Sequence, residues 1–390
     1  MRVRSGLLPR NDSTRKHICV CFNRVIFRPA DETETHSKTY EKMKKINLFA
    51  ALSAALLLFG CSKDKGPKVP EPHEPTKTVG YYILSEGTWG QAGSASIAWY
   101  DLAAEELTPD WYSKQNGGAT LGGTPSDLKI YGTKMYCTVL EDDAVLVMNA
   151  ADGKLVKTLP VTSARSLACD DGKVYVSSYK GEVVRIDTTI LTITGTAAVN
   201  GEYCEGIAVL NDKLYVANDA TKGGYQGGGN TVSVIDLTTF AETAQIETPV
   251  NPTGLLAGTD GYIYLTTSGD WMTVDAQLHR IDPARNEIVY TFPDLMASKM
   301  AIFGDYIYTS HFSYIEFESA VKRVNIKTNE VTTFVEDEPI YYGVATNPLS
   351  GEIFYLNEGG RIDCYKADGT KLYSIGTVSL RPNSMAFLLK

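Results

Sequence analysis

The chain has 390 residues, of which 43% are hydrophobic and 21% charged, with a formal net charge of −9. Its first 60 residues hold 11 of the 37 Lys/Arg and 5 of the 46 Asp/Glu, which leaves the remainder at −15. So acidic a body excludes nucleic acid, which demands a basic groove, and excludes adsorption to an anionic membrane face.

Residues 1–42 carry no apolar periodicity and match nothing later in the chain, so they read as an over-extended N-terminus; the Cys19/Cys21 pair within them carries no zinc reading. Residues 43–60 open on Met43-Lys-Lys, run through an apolar core and end at Gly60, directly before Cys61. A basic start, an apolar stretch too short to span and anchor, and a small residue before the cut describe a secretory signal. The Leu58-Phe-Gly-Cys61 ending resembles a bacterial lipobox, which implies acylation of Cys61. Residues 61–78 contain Pro67, Pro70, Pro72 and Pro75 among charged residues, a composition that forms no core and suits an extended tether.

From residue 79 to 390 one pattern repeats. It is clearest in Ile207-Ala-Val-Leu, Lys213-Leu-Tyr-Val, Thr231-Val-Ser-Val-Ile-Asp and Glu242-Thr-Ala-Gln-Ile, four β-branched or aromatic runs separated by turn residues. The second run recurs at Tyr81, Lys134, Lys173, Tyr262, Tyr306 and Ile353, and the third run ends in Asp101, Asn149, Asp187, Asp236, Asp282 and Asn325. A four-strand unit repeated every 40–50 residues, roughly, is the signature of a β-propeller, and seven units predict seven blades. The first unit lacks a leading strand, while the chain ends on one, Pro382-Asn-Ser-Met-Ala-Phe-Leu388. An all-β, seven-bladed β-propeller closed by its C-terminal strand is therefore expected.

Catalytic motifs are sparse. Cys137, Cys169, Cys204 and Cys364 lie in different units without CxxC spacing and read as buried free thiols. His279 and His311 sit in no metalloprotease spacing, and no GxSxG or P-loop occurs. The aspartates ending the third strands read as turn formers bonding their own backbone, not as metal ligands.

The loops carry more. Those after the second strand and those leading into the first open on one face of a propeller. They place Trp89, Tyr179, Tyr203, Tyr225, Trp271, Phe312, Tyr314, Tyr341 and Tyr342 around one mouth, with Gln91, Gln226, Arg381 and Asn383 among them. Aromatics with polar tips give large contact area at low entropy cost. Interleaved amides and hydroxyls suit a large neutral ligand with apolar faces and a polar rim.

The lipobox, the Pro-rich tether, the Lys-hydrophobic-Tyr-Val and Val-x-Val-Ile-Asp repeats and the closing strand together resemble the YncE-like surface-layer propellers. Within them, over residues 43–390, the chain looks closest to the BtuG-type cell-surface lipoproteins. That resemblance implies capture of cobalamin (vitamin B12) and related corrinoids at the outer-membrane surface, and delivery to a TonB-dependent, BtuB-like transporter. It implies neither catalysis nor a catalytic cofactor. Two other readings stay open: a surface glycan-binding lipoprotein, and a lactonase- or quinoprotein-type enzyme using Glu86, Asp127 and Glu205 at the channel mouth.

Overall fold

In the computed structural model of the protein, the described residues are 74–390 except Ala92, Trp271, 314–317, 337–339 and Thr377. Cys61, the signal segment and most of the tether lie outside them.

The described residues form seven four-stranded antiparallel sheets. Blades two to seven occupy residues 125–160, 164–198, 202–247, 252–291, 299–333 and 341–375. Blade one is composite: Pro382–Leu389 forms its inner strand and pairs along Thr78–Ser85, from Thr78↔Leu389 to Ser85↔Pro382. The ring is closed by its two ends, as the missing leading strand predicts, and Thr78–Ser85 is paired along both of its edges.

Strand alternation explains how the blades interlock. In Lys213–Ala220, Leu214 and Val216 point back to Tyr175 and Val183 of blade three, while Tyr215 points forward to Ile263 and Leu265 of blade five. The recurring tyrosine of the second strand thus fills each interface: Tyr136 reaches Val174 and Val176, and Tyr264 reaches Ile307. At the seam Phe354 takes the same role against Tyr81 and Ile83, and Tyr82 packs on Met135 and Cys137. Each of these rings is at most 3% exposed. Burying such a ring contributes on the order of 2–3 kcal/mol, so the repeat is the source of the fold's stability.

Inner strands approach closely around the axis. A Cβ on Gly206 would stand 2.5 Å from the Thr253 carbonyl oxygen of the next blade, so this position accepts only glycine without a backbone shift. On the face away from the predicted mouth, the third-strand aspartates and asparagines do what turn formers do. Asp101 accepts the Ala103 and Ala104 N–H groups, Asp187 those of Thr189 and Ile190, Asn149 that of Ala151 and Asn325 those of Lys327 and Thr328. Among the described residues Cys137, Cys169, Cys204 and Cys364 are free, and all but Cys169 are buried.

One element was not legible as strand. Trp111–Gln115 is a short helix, α1, in the link from blade one to blade two. It lays Trp111 against Trp99, with ring centroids 6.1 Å apart, and covers the outer side of that interface.

Candidate functional site

In each antiparallel blade the loop from second to third strand lies at the same end as the connection to the next blade. Three of these loops are long: 86–95 in blade one, 221–230 in blade four and 268–276 in blade five. Among its described residues each carries one large apolar side chain nearly free of the protein. Trp89 is 79% exposed, Tyr225 78% and Met272 89%. No other large hydrophobic among the described residues exceeds 62%.

Local bonds hold each of the three in place. The Ser94 hydroxyl accepts the Thr88 N–H at 2.8 Å, and the Gln91 N–H donates to the Thr88 carbonyl at 3.0 Å, closing a turn around Trp89. In the second loop the Asp219 carbonyl accepts the N–H groups of Gly227 and Gly229, both at 2.9 Å, returning the chain after Tyr225. A Cβ on Gly229 would lie 2.1 Å from the Asn218 carbonyl oxygen, which is why this return is glycine-rich. In the third loop the Asp270 carboxylate accepts from the N–H groups of Met272, Thr273 and Val274 at 2.9, 2.6 and 2.8 Å. These donors, with the Thr273 hydroxyl, hold its carboxyl well below the usual carboxylate range. Beside Trp89 a hollow of about 620 Å³ opens between blades seven and one, walled by Thr88, Ile340, Asn357, Glu358, Leu380 and Arg381.

The mouth surrounds a central channel of about 550 Å³ lined by the inner strands. Two polar networks sit at its rim. Arg165 Nε donates to Glu205 at 2.7 Å and its guanidinium to Ser126 Oγ at 3.0 Å, while the Tyr179 hydroxyl donates to the other Glu205 oxygen. Tyr203 packs against Tyr179 with centroids 5.1 Å apart. Across the seam, Glu86 accepts from the Tyr342 hydroxyl and from Asn383 Nδ2, both at 2.8 Å. Burial and the adjoining carboxylates raise the pKa of both tyrosines, Tyr179 and Tyr342, so both act as hydroxyl donors at neutral pH.

The residues expected at the mouth therefore separate into three groups. Trp89, Gln91, Tyr225 and Gln226 are exposed on the long loops, and the Gln226 amide also reaches Asp219. Tyr179, Tyr203, Phe312, Tyr342, Arg381 and Asn383 are half-buried, with Arg381 Nε 3.4 Å from Glu358. Tyr341 departs from its expected place. It is 5% exposed in the core of blade seven, where its hydroxyl donates at 2.9 Å to the fully buried Asp363. Strand alternation sends Tyr342 to the channel and Tyr341 into the sheet interface. Trp271 and Tyr314 lie outside the described residues.

Met272, Arg165 and Lys299 were not anticipated. Met272 stands beside Trp271 in a loop read for its aromatics, and the two cations sit in inner strands whose register becomes visible only in the ring. Among the described residues no group of three or more His, Cys, Asp or Glu is placed to hold a metal ion. Glu86, Asp127 and Glu205 are each bound to protein donors instead.

No curated protein matches the chain. Solved structures similar to it include the hydrazine synthase of Kuenenia stuttgartiensis, at a TM-score of 0.58 and 16% identity over 66% of this chain and 88% of that one. Another is a quinoprotein alcohol dehydrogenase-like protein of Bacteroides thetaiotaomicron, at a TM-score of 0.57 and 15% identity over 80% of this chain and 78% of that one. At these identities the likeness is one of fold. Residues 79–360 match the family described as domain of unknown function DUF5074, and the chain belongs to that β-propeller family.

Proposed function

We propose that the protein is a non-catalytic capture protein that binds cobalamin or a related corrinoid across its long-loop face. Held at the outer-membrane surface by a lipid on Cys61, it passes the ligand to a TonB-dependent transporter. The observation that carries this reading is the trio Trp89, Tyr225 and Met272, each more than three-quarters exposed and all on one face.

Aromatic side chains bury about 150–250 Å² each when covered, and at about 25 cal/mol per Å² each returns on the order of 4–6 kcal/mol at most. A soluble surface does not keep three such groups uncovered on one face without a use for them. A corrin ring offers the complementary shape: broad apolar faces rimmed by amides, for which Gln91, Gln226 and Asn357 are fitting partners. The loops are fixed by their own hydrogen bonds before any ligand arrives, which keeps the ordering cost low.

Calorimetry of the full chain against cobalamin and against an oligosaccharide panel tests the reading. Saturable binding of cobalamin supports it, whereas binding of oligosaccharides alone assigns the same platform to glycans. The anchoring is tested separately: Cys61→Ser should move the protein from the membrane to the soluble fraction with the ring folded. Full membrane retention of that variant contradicts the anchor.

A further inference from the structure

The loop that carries Trp89 has a hollow on each side, and the two differ in chemistry. Between blades one and two the hollow is about 320 Å³ and is walled by glycines together with Glu86, Glu141 and Asp142. Between blades seven and one it is about 620 Å³ and largely apolar, with Leu380, Ile340 and Thr88 against Asn357, Glu358 and Arg381. That size falls among small-molecule sites, which run from about 300 to about 1,000 Å³.

The apolar hollow is built before any ligand arrives. The Ile340 carbonyl accepts the Glu358 N–H and Asn357 Nδ2, both at 3.1 Å, and the Glu358 carbonyl accepts the Arg381 N–H at 2.8 Å. The Leu380 and Arg381 carbonyls accept the Gly87 and Glu86 N–H groups, both at 3.0 Å. The strap 380–381 is thus pinned to blade seven on one side and to the start of the Trp89 loop on the other. These bonds consume backbone polar groups that a bare loop would offer to water. Leu380, on this fixed strap, is still 49% exposed, so covering it is favourable and costs little ordering.

The rim selects what enters. Arg381 Nε lies 3.4 Å from Glu358, so the two charges there answer one another and neither is left for a charged ligand. The planar guanidinium of Arg381 gives a stacking surface, and Asn357 Nδ2 has a second N–H beyond the one it gives to Ile340. Leucine and isoleucine alone would suit an alkyl chain. With a guanidinium plane and an amide among them, the fit is to an uncharged heteroaromatic ring.

We infer that this hollow is a subsite for an uncharged, flat heteroaromatic ring borne by the ligand of the loop face. What carries the ring rests on the corrinoid reading: there it is the benzimidazole base, which stands out from the corrin plane, while the corrin covers Trp89, Tyr225 and Met272. A specificity follows. The protein distinguishes corrinoids by their base, taking cobalamin over cobinamide, which has the same corrin but no nucleotide.

Equilibrium binding of cobalamin and cobinamide to the full chain, as wild type, Leu380→Glu and Leu380→Met, tests the subsite. The wild type should bind cobalamin about tenfold or more tightly than cobinamide. Leu380→Glu should lose that preference with its affinity for cobinamide unchanged, and Leu380→Met should keep it. Equal affinity of the wild type for the two, or equal weakening of both by Leu380→Glu, overturns the subsite. If neither corrinoid binds, the corrinoid reading falls and the hollow is read alone, by saturation-transfer NMR with free dimethylbenzimidazole at neutral pH. Transfer from the wild type that is lost in Leu380→Glu keeps the ring subsite, whereas no transfer, or equal transfer from both proteins, overturns it as well.

Discussion

The Tyr342 hydroxyl donates to Glu86 Oε2 at 2.8 Å, joining residues 256 apart in sequence across the seam between blades seven and one. The same carboxylate receives Asn383, from the strand that closes the ring. One side chain therefore ties the start of the propeller, its last blade and its closing strand together at the rim of the channel.

Tyr342→Phe removes one of the two donors to Glu86 and should cost about 1 kcal/mol, the usual net worth of such a bond. Urea denaturation of the folded variant measures it. A midpoint unchanged from wild type would show that the seam bond contributes nothing.

The closing strand should matter far more. Deleting residues 382–390 takes from blade one the whole ladder opposite Thr78–Ser85 and exposes the interface of Tyr81 with Phe354. The deletion should abolish the single cooperative melt of the ring, because every interface depends on closure. A truncated chain melting at the wild-type temperature contradicts that dependence.

Tyr341→Ala separates a core tyrosine from a mouth tyrosine. It empties a packed site beside Tyr355 and deprives buried Asp363 of a donor, and should destabilise by about 3–5 kcal/mol. Affinity for ligand in the fraction that remains folded should be unchanged. A stable variant with weakened binding would return Tyr341 to the mouth.

Two buried groups give opposite pH dependences. Burial lowers the pKa of His279 from 6.5 to about 4, with its ring nitrogens facing Thr267 and Thr291. The unfolded chain takes up that proton below pH 6.5 and the fold does not, so stability falls as the pH drops through this window. Burial, and then Glu205, raise Asp219 from 3.8 to about 6, with Gly227, Gln226 and Arg165 opposing them. The fold takes up this proton first, so stability rises as the pH drops from about 6. Each effect is on the order of 2–3 kcal/mol, and together they nearly cancel. His279→Gln should be more stable at pH 4.5 than at 6.5, and Asp219→Asn less stable; thermal melts at both values read the difference. Parallel profiles in the two variants would contradict these environments.

The contrast between Tyr341 and Tyr342 shows where the sequence is legible and where it stops. The repeat of tyrosine in the second strand and aspartate after the third is dictated by packing and turn chemistry, and both recur visibly, so blades, closure and turns follow from the residues. The loops obey no period. Trp89 and Tyr225 could be placed at the mouth because their loops are long and rich in glycine or polar residues. The same argument puts Tyr341 at the mouth wrongly, since an irregular strand start hides which neighbour faces in. Arg165 lay unread for a different reason: its bonds to Glu205 and Ser126 join three blades, and no one stretch of sequence contains them.

The central claim rests on three side chains, and their joint removal tests it. The Trp89→Ala/Tyr225→Ala/Met272→Ala protein should melt as the wild type does, because these groups touch little of the ring. Each anchor lost from a binding face costs about 2 kcal/mol, roughly thirtyfold in affinity. Equilibrium dialysis with cobalamin, read through its visible absorbance, should therefore show saturable capture by the wild type and at least a thousandfold weaker capture by the triple variant. Equal capture by the two proteins would contradict the account.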